Sequence, residues 1–200
     1  MVQESTSALV SRVLGDDTLD LHVEQFKVEE NFDAGHCTAD LVVTGMPGHD
    51  QAVSLSGKGV GVVDAVFHAL KDTLSREYPS LNSIRFSGFE IRADFNTRKD
   101  DSGSDAAGTV VLVVESSSGR RFEFAHTSRS ITASMVIATL QASEYFVNTE
   151  RAFILLHRAL EDARSRNRSD LVTRYNLEMA EIVENTSYSE VIERLRSETP

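Results

Sequence analysis

The apolar positions of this chain change period several times, and each change marks an element. Ala8, Leu9, Val13 and Leu14 fall at helical spacing and predict a short helix over residues 4–14. From residue 19 the period drops to two: Leu19, Leu21 and Val23 share one parity, Phe26 and Val28 the other. That pattern predicts a strand with a β-bulge where the parity changes. "HCTADLVVTG" predicts a second strand, Gly45-Met46-Pro47-Gly48 a turn, and "QAVSLSG" a third strand. Three glycines then fall within five residues, Gly57-Lys58-Gly59-Val60-Gly61. The run that follows has the period of a helix over about 62–77, stopped near Pro79.

The order then recurs. "SIRFSGFEIRADF" reads as a strand and "TRKDDSGSDAAG" as a polar loop. "TVVLVVES" and "RRFEFAHTS" read as a hairpin turning at Ser118-Gly119, and a helix begins near Ile131. Sliding the second half back by 69 residues lays Ser128 on Gly59, Ser130 on Gly61, Ser134 on Ala65, Met135 on Val66 and Ala138 on Ala69. The expected fold is therefore α+β: two pseudo-repeated βββα units with antiparallel sheets covered by helices, plus a C-terminal helical extension. The boundaries predicted are a helical lead at 1–18, a duplicated domain at 19–148 (units 19–80 and 81–148) and a helical tail at 149–200. In that tail Ala152, Leu155, Leu156 and Leu160 recur at helical spacing, as do Leu171, Tyr175, Met179 and Val183. Val191, Ile192 and Leu195 mark a last short helix, with breaks at Ser169-Asp170 and Ser187–Ser189. The tail reads either as a hairpin packed on its own domain or as a docking arm for a partner chain.

Composition narrows the function classes. A net charge of −11 over 200 residues leaves no basic face for nucleic acid or an anionic membrane. The single cysteine, Cys37, makes no internal disulfide and reads as a small apolar strand residue in a reducing compartment. The N-terminal residues lack the apolar core of a signal peptide, and no apolar run approaches the about 20 residues of a membrane span. A cytoplasmic location is expected.

The glycine stretch is not a P-loop, because Gly57-Lys58 is followed by Gly59 and Val60, neither of which has the hydroxyl that motif needs. It is not a dinucleotide fingerprint either, since Val62 and Asp64 stand where the third glycine is required. One reading is a flexible turn. The other is anion binding by unpaired N–H groups at a helix start, with glycine permitting close backbone approach. Asp64 suits that helix start and offers an acceptor for an ammonium group. A carboxylate on the amides and an ammonium on an aspartate together describe an amino acid. The six histidines show no metal-binding spacing, there is no nucleophile elbow, and "DDSGSDAAG" lacks the closing glutamate of an EF-hand loop. No catalytic set, metal or cofactor is expected.

Three segments carry a family resemblance. "GKGVGVVDAVFHAL", "GSDAAGTVVLVVESSSGRRFEF" and "TSRSITASMVIATLQASEYF" are similar, in order and spacing, to segments of the C-terminal regulatory domain of 2-isopropylmalate synthase and citramalate synthase. The likeness runs from about residue 19 to 147. It implies two ββ(β)α units, pairing with a second copy, and binding of leucine or isoleucine for feedback inhibition of a catalytic barrel. Carried over by position, it implies ligand contacts from Gly59, Gly61, Asp64 and Ala65 in the first unit. From the second it implies Asp105, Ala106, Ser128, Ile131, Ala133 and Ser134. Val62 replaces the family's proline and His126 a glycine, which bears on the ligand's identity. The barrel, which needs roughly 250 residues, and its His-x-His ligands are missing from this sequence. The expectation is a non-catalytic ligand-sensing and dimerisation domain for a branched-chain amino acid. The alternatives are a structural dimerisation and docking module for a separately encoded catalytic subunit, with no ligand, and an enzyme of unrelated chemistry.

Overall fold

A computed structural model of the chain describes residues 2–93 and 107–185. Helix α1 spans Val2–Leu14 and ends in a 3-10 turn, Gly15–Asp17. Strands β1 (His22–Asn31), β2 (His36–Thr44) and β3 (Val53–Gly59) form an antiparallel sheet in that order, and α2 (Val62–Leu74) follows. After a 3-10 turn at Pro79–Asn82 come β4 (Ile84–Ala93), β5 (Gly108–Ser116) and β6 (Arg121–Ser128), a second antiparallel sheet in chain order, and then α3 (Ile131–Ser165). Helix α4 spans Ser169–Asn185. The fold is α+β with two three-stranded sheets, as the periodicity predicts.

The duplication extends to a structural irregularity. β1 carries a bulge between Val23 and Gln25, where the parity of its apolar positions switches. β4 carries one at the same point, between Phe86 and Gly88. Aligned on their bulges, Leu21 just before β1 and Val23, Phe26 and Val28 within it match Ile84, Phe86, Phe89 and Ile91 of β4, all apolar. In each unit the inward face of the middle strand is closed: Cys37, Ala39, Leu41 and Val43 on β2, and Val110, Leu112 and Val114 on β5, are buried. α2 covers β2 and β3, α3 covers β5 and β6, and the two helices pack on each other. Phe67 of α2 meets Phe86 of β4 edge-on at 5.0 Å, tying the units together.

Two of the three glycines are strand residues, so the stretch is a bend only at its end. β3 runs through Gly57 and Gly59 because α2 lies almost in contact with it. A Cβ on Gly57 would fall 2.2 Å from the Ala65 carbonyl oxygen, and one on Gly59 2.5 Å from the Ala65 nitrogen. Ala65 and Ala69 present the smallest side chains to that seam and are fully covered.

α3 continues for 35 residues, through position 148 without a break. The change of composition there marks where the helix leaves the sheets. Beyond that point Ala152, Phe153 and Leu156 pack with Leu9, Val10 and Leu14 of α1 and Ile182 of α4 in a second core. The chain's lead and its tail thus form one three-helix bundle, pinned at its rim by Arg12–Glu178 and Ser5–Glu181. Asn148 holds the incoming chain by bonding both the N–H and the carbonyl of Leu19, and Glu144 accepts the N–H of Leu21. The side-chain amide of Gln3 bonds both backbone groups of Glu123 on β6, covering an otherwise open sheet edge. The helix expected around Val191, Ile192 and Leu195, and the break at Ser187–Ser189, lie outside the described residues.

Candidate functional site

The two helix starts are built differently. At α2 the N-cap is Gly61, with extended backbone and no capping side chain. Asp64, in the first turn, reaches back so that Oδ2 accepts the Val60 N–H at 3.0 Å. This is one half of a capping box, and it satisfies a donor just outside the helix rather than the open donors within it. A Cβ on Gly61 would meet nothing within 4 Å, so the backbone there faces open space.

That space is a groove of about 580 Å³. Val60, Gly61, Val62, Val63 and Asp64 form one wall; Phe86, Gly88 and Phe89 of β4, Leu112 of β5 and Met135 of α3 form the rest. The lining is apolar except for Asp64 and the helix-start backbone. It lies between the units, since α2 belongs to the first and the remaining residues to the second. Its size is within the roughly 300–1,000 Å³ usual for small-molecule sites.

At α3 the start is capped by a side chain. Ser130 is the N-cap and its hydroxyl accepts the Ala133 N–H at 3.2 Å. The Ser128 hydroxyl donates to the Ser130 carbonyl at 2.7 Å and accepts the Ser130 N–H at 3.1 Å. Its single proton is thereby used, so the 2.9 Å contact with Ser134 is a bond donated by Ser134. The proton of Ser134 is then also used, and His126 Nδ1, 3.3 Å away, donates to it. Ser134 is fully buried. The network fills the space that Gly57, Gly59 and Ala65 leave closed by contact in the first unit. Where unit one packs backbone on backbone, unit two inserts an imidazole and two hydroxyls.

The positions named by motif therefore separate. Gly61 and Asp64 line the groove. Gly59 and Ala65 lie behind it, in the α2–β3 seam. Ile131 packs with Met135 and Val63 on the small core around Leu112, and its Cδ1 would be 2.2 Å from a Cβ on Gly108. Ala133, Ser128 and Ser134 are engaged in the cap and network just described. Asp105 and Ala106 lie outside the described residues. Sequence reasoning did not find Phe86, Phe89, Leu112 and Met135 as groove residues. The signal available was the shared bulge, which turns Phe86 and Phe89 of β4 toward the neighbouring helix start.

Among the described residues no group of three or more His, Cys, Asp or Glu side chains is placed to hold a metal ion, and no helix is long and apolar enough to cross a membrane. Cys37 is buried, and burial followed by the nearby Glu30 charge raises its pKa, which keeps it a thiol.

The described residues thus form two sheet-and-helix units with one helix start, lacking a side-chain cap, open over an apolar groove. Residues 1–147 match the model of the LeuA allosteric (dimerisation) domain, and the chain belongs to that family. Comparison with curated proteins returns no match.

Proposed function

We propose that this chain is a ligand-sensing and dimerisation domain with no catalysis of its own, and that its ligand is a branched-chain amino acid held in the groove at the start of α2. One observation carries the reading: of two pseudo-equivalent helix starts, α3 has a side-chain cap, whereas α2 has none and borders an apolar groove. The ligand carboxylate would take the amide groups of Gly61, Val62 and Val63, where the helix dipole favours negative charge. Its ammonium would sit at Asp64, and its side chain among Phe86, Leu112 and Met135. The apolar rim supports pairing with a second copy: Val60 is 86% and Phe89 52% exposed, an unusual placement for large apolar side chains flanking a groove. A homodimer that covers this rim would couple ligand occupancy to subunit arrangement, since a ligand biases only states it binds differently. A cytoplasmic setting and feedback control of leucine synthesis belong to the same proposal.

Calorimetric titration with leucine, isoleucine and valine tests it. Saturable heat with at least one is expected; no heat and no thermal shift with any of them would refute sensing. A second reading, a structural dimerisation and docking module for a separate catalytic subunit, draws support from the internal satisfaction of Ser128 and Ser134. It predicts an unchanged oligomer with no ligand response.

A further inference from the structure

Asp64, the charged side chain of the groove's lining, faces a second hydrogen-bond acceptor that stands beside it on α2, outside that lining. His68 sits one turn after Asp64 on α2. Its Nδ1 lies 2.7 Å from the Lys58 carbonyl oxygen, which can only accept, so Nδ1 carries the proton. In the neutral ring Nε2 is then a bare lone pair. That nitrogen is 3.7 Å from Asp64 Oδ1, while the other carboxylate oxygen holds the Val60 N–H. Neither side chain is buried, so both acceptors are open to solvent or to a ligand.

We infer that His68 is a positioning and specificity residue: with Asp64 Oδ1 it forms a paired acceptor that selects a primary ammonium over a hydroxyl or a carbonyl. The inference rests on the groove being an amino-acid site, and it adds which functional group the site distinguishes. A nitrogen set about 2.9 Å from each acceptor bridges them with two of its three N–H bonds. A hydroxyl carries one hydrogen and leaves one acceptor unanswered beside another. A 2-oxo group carries none, and sets a third acceptor against two. The Lys58 carbonyl, on β3, fixes the ring plane, so the acceptor pair is held by the same strand that holds α2.

The test is calorimetry on the full chain with three isosteric ligands: leucine, 2-hydroxy-4-methylpentanoate and 4-methyl-2-oxopentanoate. Leucine should bind at least roughly tenfold more tightly than the hydroxy acid, and the oxo acid more weakly still, the scale of one charge-assisted hydrogen bond. His68→Ala should weaken leucine by roughly tenfold while moving the hydroxy acid little, which collapses the preference. His68→Gln keeps one donor for Lys58 and one acceptor for the ligand, and should restore most of it. Asp64→Asn, which keeps an oxygen for Val60 N–H, offers a second route to the same collapse. Equal affinity of leucine and the hydroxy acid, or an unchanged ratio in His68→Ala, overturns the inference and leaves the groove reading standing. Silence from all three ligands overturns both.

Discussion

Replacing Gly57 by alanine tests why the glycines are there. The added methyl group would sit 2.2 Å from the Ala65 carbonyl oxygen, 2.5 Å from the Ala69 nitrogen and 2.9 Å from the Ala69 Cα. All three are backbone atoms of α2, so no side-chain rotation relieves the overlap; the helix itself must move off β3. That disturbs the contacts of Ala65, Val66, Ala69 and Leu70, each essentially fully buried. Overpacking of a core typically costs about 1–3 kcal/mol, and a rigid backbone neighbour places this case at or above the upper figure. At about 2–4 °C per kcal/mol for a chain of this size, Tm should fall by about 6–12 °C. Gly61→Ala provides the contrast. Its Cβ meets nothing and its backbone is extended, so only a small N-cap preference is lost, below about 1 kcal/mol. Urea and thermal unfolding followed by circular dichroism compare the two. A Gly57→Ala variant as stable as the parent, or a Gly61→Ala variant more damaged than Gly57→Ala, would refute the steric account of the seam.

Glu144 ties stability to pH. Burial lifts its carboxyl pKa to about 7, with the Leu21 N–H acting the other way and the Asp20 charge adding to the rise. A carboxyl raised from 4.5 in the unfolded chain costs nothing below that pH and progressively destabilises the fold as pH climbs through about 7, by of order 2–3 kcal/mol. Glu144→Gln keeps the acceptor for Leu21, so it should equal the parent near pH 4.5 and exceed it in stability at pH 8; urea midpoints at both pH values check this. Phe153→Ala should cost about 3–5 kcal/mol by emptying the second core, and hydrogen exchange should accelerate in α1 and α4 together. Independent exchange in those two helices would show that lead and tail do not form one bundle.

What was legible in the sequence follows from how local each signal is. The strand order, the bulge in β1 and the helix start at residue 62 rest on periodicities within ten or so residues, and these agree with the structure. The expectation that the glycine stretch is a bend was only partly met, because the need for Gly57 and Gly59 comes from Ala65 and Ala69 on an element that has yet to form. The bundle of α1 with α3 and α4 joins residues more than a hundred positions apart, a pairing that an apolar stripe does not encode. The site was half legible for the same reason. Gly61 and Asp64 lie three positions apart in one helix start and flagged themselves by composition. Phe86, Phe89 and Met135 read as ordinary core positions until the second unit's sheet is set beside the first unit's helix. Ser128 and Ser134 were expected as ligand contacts from the family resemblance; counting their hydroxyl protons assigns both to the chain, that of Ser128 to the Ser130 carbonyl and that of Ser134 to Ser128.

The most direct measurement of the central claim is a leucine titration monitored by backbone amide NMR on the full chain. The account predicts saturable shifts at Gly61, Val62 and Val63, with Phe89 and Met135 following, and quiet amides from Ser128 to Ser134. Shifts centred on Ser128–Ser134, or none in either helix start at saturating leucine, would contradict it.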